Sequence, residues 1–206
     1  YLPAAIYASW LLGYAFLPIS PEETEQRREQ MCRGCALCLT DELLSEKQAG
    51  MVAEDVKALC CKELPAYQIY TSGTSGEPKA VKISHYSLSC RLEWMEHVFS
   101  DGIERILQKT RSSFDVSIWE LVLPFAFGKS LCMLKDGEER SPKAMIKALI
   151  SNGVTMVNQF SLHSHRQQLP SLIPDRKICS IDWLPNWNPV PALLAAIPYG
   201  RWFFVL

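Results

Sequence analysis

Hydrophobic and polar positions follow two periods along this chain, one typical of helices and one typical of strands. Apolar residues at helical spacing predict helices over residues 4–13, 84–99, 117–127 and 141–152. Short apolar runs near turn residues predict strands over residues 14–19, 35–40, 67–71, 80–83, 106–109, 130–134 and 155–157. Because helices and strands alternate, the pattern predicts an α/β domain of layered sheets with flanking helices.

A further helix is expected from its start signal. Ser20 can cap a helix, and Pro21 suits the first helical position. Two acidic residues follow, and their negative charges interact favourably with the positive end of the helix dipole. We expect this helix to run to about Met31.

The first 21 residues carry no charge. A membrane span needs about 20 apolar residues in a row, whereas Pro3, Gly13 and Pro18 interrupt this stretch. We expect a buried helix followed by a buried strand, with a membrane element as the alternative. No basic region or cleavage site of a secretory signal is visible.

Composition narrows the class of protein only moderately. The 206 residues are 48% hydrophobic and 21% charged, with a formal net charge of -1. These values are ordinary for a soluble globular protein and give no support for a nucleic-acid or anionic-membrane partner. Without a visible secretory signal, eight cysteines are more consistent with a reducing, cytoplasmic setting than with disulfides.

Three cysteines, Cys32, Cys35 and Cys38, have the spacing C-x-x-C-x-x-C. This spacing resembles part of an iron–sulfur ligand run, but the fourth cysteine of such a run is missing, and a zinc site would need a second ligand pair. We expect small buried residues of a strand, with metal binding as the alternative.

The strongest chemical signal is a loop between two predicted strands. It contains four hydroxyl side chains, two glycines and a lysine, at Thr71, Ser72, Gly73, Thr74, Ser75, Gly76 and Lys79. Hydroxyls and backbone N–H groups can surround phosphate oxygens, and glycines allow close approach. The spacing differs from a Walker A loop. A Ser/Gly-rich hairpin turn is the structural alternative.

Residues 70–79, with the sequence YTSGTSGEPK, resemble the phosphate-binding motif of the AMP-forming adenylating superfamily. That superfamily includes acyl-CoA synthetases, luciferases and the adenylation domains of nonribosomal peptide synthetases. Ala80 stands where members commonly have glycine, which would matter if that position needed a positive φ.

A second motif, FDVSIWE at residues 114–120, is similar to the next motif of peptide-synthetase adenylation domains. The resemblance implies that Asp115 pairs with the α-ammonium group of an amino acid, a charge-assisted contact. It also implies that Val116 and Trp119 line the side-chain pocket, and that Phe114 borders the nucleotide. Taken alone, Asp115 could equally be a helix cap.

The resemblance covers about residues 4–165 and implies part of the large N-terminal subdomain of an AMP-forming ligase. It implies ATP and Mg²⁺ as cofactors and a phosphopantetheine carrier domain as partner. The motifs expected later, for adenine, magnesium, ribose and a catalytic lysine, do not occur in these 206 residues. We therefore expect a partial adenylation domain at residues 1–165 that is inactive by itself. In the complete parent protein, this domain would activate an amino acid whose identity the sequence does not reveal. An acyl-CoA or aryl-acid ligase fragment and a non-catalytic remnant are the alternatives.

The remaining residues, 166–206, lack a clear period. Six of the thirteen prolines lie there, together with Trp183, Trp187 and Trp202. We expect a Pro/Trp-rich tail that is truncated or out of frame.

Overall fold

The computed structural model describes residues 2–40, 62–71, 79–99, 102–135, 137–158 and 179–181, together with Leu43. The described helices are α1 (Leu2–Leu11), α2 (Glu25–Cys32), α3 (His85–Phe99), α4 (Asp115–Ala126) and α5 (Pro142–Ser151), with a 3-10 turn at Glu138–Arg140. The described strands are β1 (Pro65–Thr71), β2 (Lys79–Ser84), β3 (Arg105–Gln108), β4 (Ser130–Met133), β5 (Met156–Asn158) and β6 (Cys179–Ile181). The α/β class predicted from the alternation is confirmed.

These strands form two sheets of different character. Strands β1 and β2 form an antiparallel pair. The other sheet has the order β4-β3-β5-β6, and its neighbouring strands are parallel. Parallel neighbours need a crossover connection, which α4 supplies between β3 and β4.

The parallel sheet has helices on both faces. Ile106 of β3 and Met156 of β5 pack in one core cluster with α1, α3 and α4, whereas Leu107 and Val157 pack in the other cluster with α5. Successive strand residues point to opposite faces, so each of these strands contributes to both clusters. This arrangement buries β3 and fixes where its carboxyl end meets α4.

Two of the helix starts that were predicted from a serine cap are present in the structure. The Ser84 hydroxyl accepts a hydrogen bond from the Ser87 N–H at 3.2 Å, and that of Ser141 accepts one from the Ala144 N–H at 3.3 Å. Each cap satisfies one of the N–H groups that lack a partner in the first turn. The predicted helices 84–99 and 141–152 are therefore confirmed to within a residue or two.

Two expectations near the N-terminus are corrected. Residues 14–19 form no strand: Phe16 makes a single bridge to Tyr67, and Tyr14 is 57% exposed. The helix expected from Ser20 begins instead at Glu25, where Thr24 caps it through the Arg27 N–H. The cap is thus Thr24 and not Ser20.

The strand expected over residues 35–40 is also wrong. The chain there is irregular, and both Cys35 and Cys38 are exposed. A strand needs a neighbour to satisfy its N–H and C=O groups, and no described strand pairs with this run.

The segment expected to be an unmatched tail contributes to the sheet. Strand β6 (Cys179–Ile181) pairs in parallel with β5 (Met156–Asn158). None of the helices in the described ranges has the length and apolar character needed to cross a bilayer. Helix α1 packs Ile6 and Trp10 into the core, as the buried-helix prediction required.

Candidate active site

The hydroxyl- and glycine-rich loop connects the two strands of the hairpin. Thr71, the last residue of β1, lies opposite Lys79, the first residue of β2, and its hydroxyl donates to the Lys79 carbonyl at 3.4 Å. The loop residues Ser72, Gly73, Thr74, Ser75 and Gly76 lie outside the described residues. The phosphate-loop and hairpin-turn hypotheses both require this pairing, so it does not separate them.

The position of Ala80 removes one objection to the resemblance. Ala80 lies in β2 opposite Tyr70. An extended strand residue has a negative φ, so the backbone here does not require glycine.

Asp115 lies at the exposed start of α4. Phe114 is the N-cap residue and makes no side-chain cap, while Asp115 is the first helical residue. One carboxylate oxygen of Asp115 accepts from the Val116 N–H at 2.8 Å. Phe114 is 58% exposed. The carboxylate is therefore presented at the positive end of the helix dipole, where it can meet a ligand.

The turn that leads to Asp115 is held by Ser117. The Ser117 hydroxyl lies 2.6 Å from the Phe114 carbonyl and 3.0 Å from the Ser112 carbonyl. Ser117 itself is fully buried. The serine of the FDVSIWE motif thus fixes the entry of the chain into the helix.

A buried carboxylate, that of Glu120, also holds the loop between β3 and α4. Glu120 is 0% exposed. One of its oxygens accepts from the N–H groups of Lys109 at 3.2 Å and Thr110 at 3.0 Å, and the other accepts from the Thr110 hydroxyl at 2.8 Å. Helix α4 is thereby tied to the end of β3, which places Asp115 relative to the sheet.

Burial and hydrogen bonding act in opposite directions on Glu120. Burial raises the pKa of this carboxyl, whereas the hydrogen bonds from Thr110 and Lys109 and the Lys109 charge lower it. Burial likewise lowers the pKa of Lys109, and Glu120 opposes that shift. The hydrogen bonds that Glu120 accepts and the nearby charge of Lys109 offset part of the cost of burying this carboxyl group.

The charge of Asp115 influences the pKa values of Tyr67 and Arg91, which lie on two other elements. Burial raises the pKa of Tyr67 to about 12, with Asp115 adding to the rise and Arg91 opposing it. Burial also lowers the pKa of Arg91, and the charge of Asp115 opposes that change. The Arg91 guanidinium lies over the ring of Trp94, 4.8 Å from its centroid. The charge of Asp115 therefore acts on side chains of both β1 and α3.

The two residues expected to line a side-chain pocket differ in their surroundings. Val116 is half-buried and packs against the main core cluster. Trp119 is 6% exposed and belongs to that cluster. Within the described part of the chain, Trp119 therefore acts as a core side chain.

Sequence reasoning did not identify Glu120 or Arg91. A lone carboxylate within the apolar run of α4 was an available signal for Glu120, because such a group must find partners when buried. No local signal identified Arg91. In the described part of the chain, no group of three cysteine, histidine or acidic side chains has an arrangement that could hold a metal ion.

The described residues form an α/β domain with an antiparallel hairpin around residues 71–79 and an acidic residue, Asp115, at the start of α4. The family of AMP-binding enzymes matches residues 37–161. This chain belongs to that family.

Two relatives illustrate the match at the sequence level. The chain is 34% identical over 164 residues to zwittermicin A synthase ZmaJ of Bacillus cereus, covering 71% of this chain and 31% of that protein. It is 31% identical over 178 residues to tyrocidine synthase 3 of Brevibacillus parabrevis, covering 78% of this chain and 3% of that protein. The chain thus spans less than a third of the length of either relative.

Solved structures support the same fold. The nonribosomal peptide synthetase FmoA3 covers 85% of this chain, which corresponds to 20% of that chain, with a TM-score of 0.65 at 20% identity. The Vibrio cholerae adenylation domain AlmE, in complex with glycyl-adenosine-5'-phosphate, covers 76% of this chain and 38% of that chain, with a TM-score of 0.59 at 21% identity.

Proposed function

We propose that this chain is part of an ATP-dependent adenylation domain that activates an amino acid. A substrate carboxylate oxygen would attack the α-phosphorus of ATP, the bond to the β-phosphate would break, and pyrophosphate would leave. The product is an aminoacyl-adenylate. Binding and charge stabilisation, rather than covalent chemistry by the protein, supply most of the catalysis in such a reaction.

The observation that carries this proposal is the placement of Asp115. Its carboxylate is exposed at the start of α4, and Ser117 and Glu120 hold the turn in front of it. An α-ammonium group is the natural partner for such a carboxylate. AlmE, which has a similar fold, was solved in complex with glycyl-adenosine-5'-phosphate, a compound that carries a glycyl group.

The phosphate groups are assigned to the hairpin loop. Thr71 and Lys79 are paired at its base, so the loop from residue 71 to 79 would surround the leaving pyrophosphate with hydroxyls, N–H groups and one cation. Phe114 would border the nucleotide, and Val116 and Trp119 would line the pocket for the substrate side chain. Mg²⁺ would accompany ATP, and a phosphopantetheine carrier domain of the parent protein would receive the product.

An acid-activating ligase is the competing function. A malonyl-CoA ligase shares the fold, with a TM-score of 0.57 at 21% identity. An acid without an amine would leave Asp115 without its partner, which is why we favour an amino acid.

The test uses stable analogues of the product. The full chain would be titrated by calorimetry with aminoacyl-sulfamoyl-adenosines and with matched analogues that lack the amine. We expect tighter binding of the amine-containing analogue by about 10- to 100-fold, the size of one charge-assisted contact of about 1.5–3 kcal/mol. Asp115→Asn should remove the preference, whereas the matched surface variant Glu104→Gln should keep it. Equal binding of both analogues by the unaltered chain would favour the acid-activating ligase.

A second measurement addresses turnover. ATP–pyrophosphate exchange by the chain alone should be negligible, because the ribose-binding aspartate and the catalytic lysine expected for the family do not occur in this sequence. Sustained exchange would contradict that expectation.

A further inference from the structure

Glu22 lies between two arginines from distant parts of the chain. Its Oε2 atom is 2.9 Å from the Nη1 atom of Arg111. Its Oε1 atom contacts the Nη2 atom of Arg140. Arg111 belongs to the loop between β3 and α4, whereas Arg140 is the last residue of the 3-10 turn before α5. One carboxylate therefore joins the N-terminal segment both to the loop that precedes Asp115 and to a second turn.

The backbone around Glu22 is held by a turn and by helix α2. The Glu23 N–H donates to the Ser20 carbonyl at 3.1 Å, and the Glu22 N–H donates to the Ser20 hydroxyl at 3.2 Å. Arg28 of α2 donates to the carbonyls of Pro21 and Glu23, each at 3.3 Å. Glu22 thus projects from a turn that is tied to a helix, and its carboxylate has a defined position.

Arg111 begins the turn that leads into α4. Its carbonyl accepts a hydrogen bond from the Phe114 N–H at 3.0 Å, and Phe114 is the residue before Asp115. On the helix side, the Ser117 hydroxyl lies 2.6 Å from the Phe114 carbonyl. The ion pair to Glu22 holds the same loop from a separate element, at the residue where the turn begins.

We propose that Glu22 and Arg111 are positioning residues for Asp115. Their ion pair fixes the first residue of the turn, and the turn sets the direction in which the chain enters α4. The contact of Asp115 with an ammonium group rests on the function proposed above, whereas the effect of the ion pair on the loop does not. Both side chains are about half exposed, 45% for Arg111 and 53% for Glu22. Because an exposed ion pair contributes little to stability, its loss should loosen the loop without unfolding the domain.

Hydrogen exchange tests the effect on the loop without any ligand. Mass spectrometry would follow peptides that contain residues 111–117 in the full chain, in Glu22→Gln and in Arg111→Gln, at low salt. We expect exchange up to about fivefold faster in each variant and no faster in the double variant, since one exposed ion pair is lost in every case. Arg140→Gln, which removes the other contact of Glu22, is the matched control and should leave exchange unchanged. Unchanged exchange in both Glu22→Gln and Arg111→Gln, or equal acceleration in Arg140→Gln, would overturn the proposal.

Binding of the amine-containing and amine-free analogues tests the effect on Asp115. Positioning predicts that Glu22→Gln and Arg111→Gln both reduce the preference for the amine, by up to about fivefold. A direct effect of charge on the bound ammonium group predicts opposite signs, because one variant removes a negative charge and the other a positive charge. Opposite signs would therefore overturn the positioning role. Arg140→Gln should keep the preference, and Arg111→Lys should keep most of it because lysine retains the charge.

The two measurements separate this inference from the proposed function. If the unaltered chain binds both analogues equally, the proposed function fails, and hydrogen exchange decides whether the ion pair holds the loop. If Glu22→Gln and Arg111→Gln weaken both analogues by the same factor, the ion pair has only a structural role and the positioning of Asp115 is refuted. Raising the salt concentration should shrink the difference between the unaltered chain and these variants, because exposed charges are screened.

Discussion

Replacing Glu120 by alanine should be among the most damaging single changes in this chain. The side chain is fully buried and accepts three hydrogen bonds, two from backbone N–H groups and one from the Thr110 hydroxyl. Each buried donor left without an acceptor costs about 1–3 kcal/mol. Since water can enter the space and satisfy some donors, we expect a net loss of about 3–5 kcal/mol. Domain stabilities are about 5–15 kcal/mol, so this loss is a large fraction of the total.

Glutamine at the same position is the matched control. Its carbonyl oxygen can keep both backbone donors, and the Thr110 hydroxyl can rotate to accept from the amide. We therefore expect Glu120→Gln to cost only about 1 kcal/mol. It should also lower the pKa of Lys109 further, because the nearby negative charge is gone. Urea denaturation followed by tryptophan fluorescence would compare the two variants. Equal losses would refute the view that hydrogen-bond acceptors, rather than charge, make Glu120 important.

The unaltered chain and the Glu120→Gln variant can also be compared as a function of pH. The folded-state pKa of Glu120 is raised above its unfolded value. Its contribution to the free energy of unfolding is therefore complete below the ordinary carboxyl pKa and declines as pH rises through the raised value. Glu120→Gln should lack this decline. Parallel pH profiles for the two proteins would show that the carboxyl does not titrate differently on unfolding.

Three further changes test separate features. Gly34→Ala should cost about 1–2 kcal/mol from the left-handed backbone alone, since an added Cβ has nothing within 4 Å; Gly34→Asn should recover part of this in thermal melts. Tyr67→Phe should remove an ultraviolet titration near pH 12, and with it a stability contribution that is present below pH 10 and lost as pH rises through about 12. Glu22→Gln, which removes exposed ion pairs to Arg111 and Arg140, should cost at most about 1 kcal/mol in low-salt denaturation and less in high salt.

Features that depend on neighbouring residues were predictable from the sequence. Ser84 and Ser141 cap helices through contacts three residues away, and the periodicity of α3 lies within its own residues. The two strands that flank the loop at 71–79 were predicted for the same reason, because each is a short apolar run beside turn residues. The predicted start at Ser20 was wrong, because Thr24 caps the helix four residues later.

Features that depend on distant partners were decided by the tertiary structure. The apolar run at 14–19 had the composition of a strand, yet only Phe16 found a partner. The partners of Glu120 lie 10 and 11 residues earlier, at the end of β3, and the charge of Arg91, which opposes that of Asp115 in its effect on Tyr67, comes from α3. The sequence by itself determined α3, α5, the two strands around the loop and the two motifs, because short-range hydrogen bonds and periodicity specify them. Strand pairing, burial and the electrostatic environment of Asp115 required the fold, because they arise from groups that only the folded chain brings together.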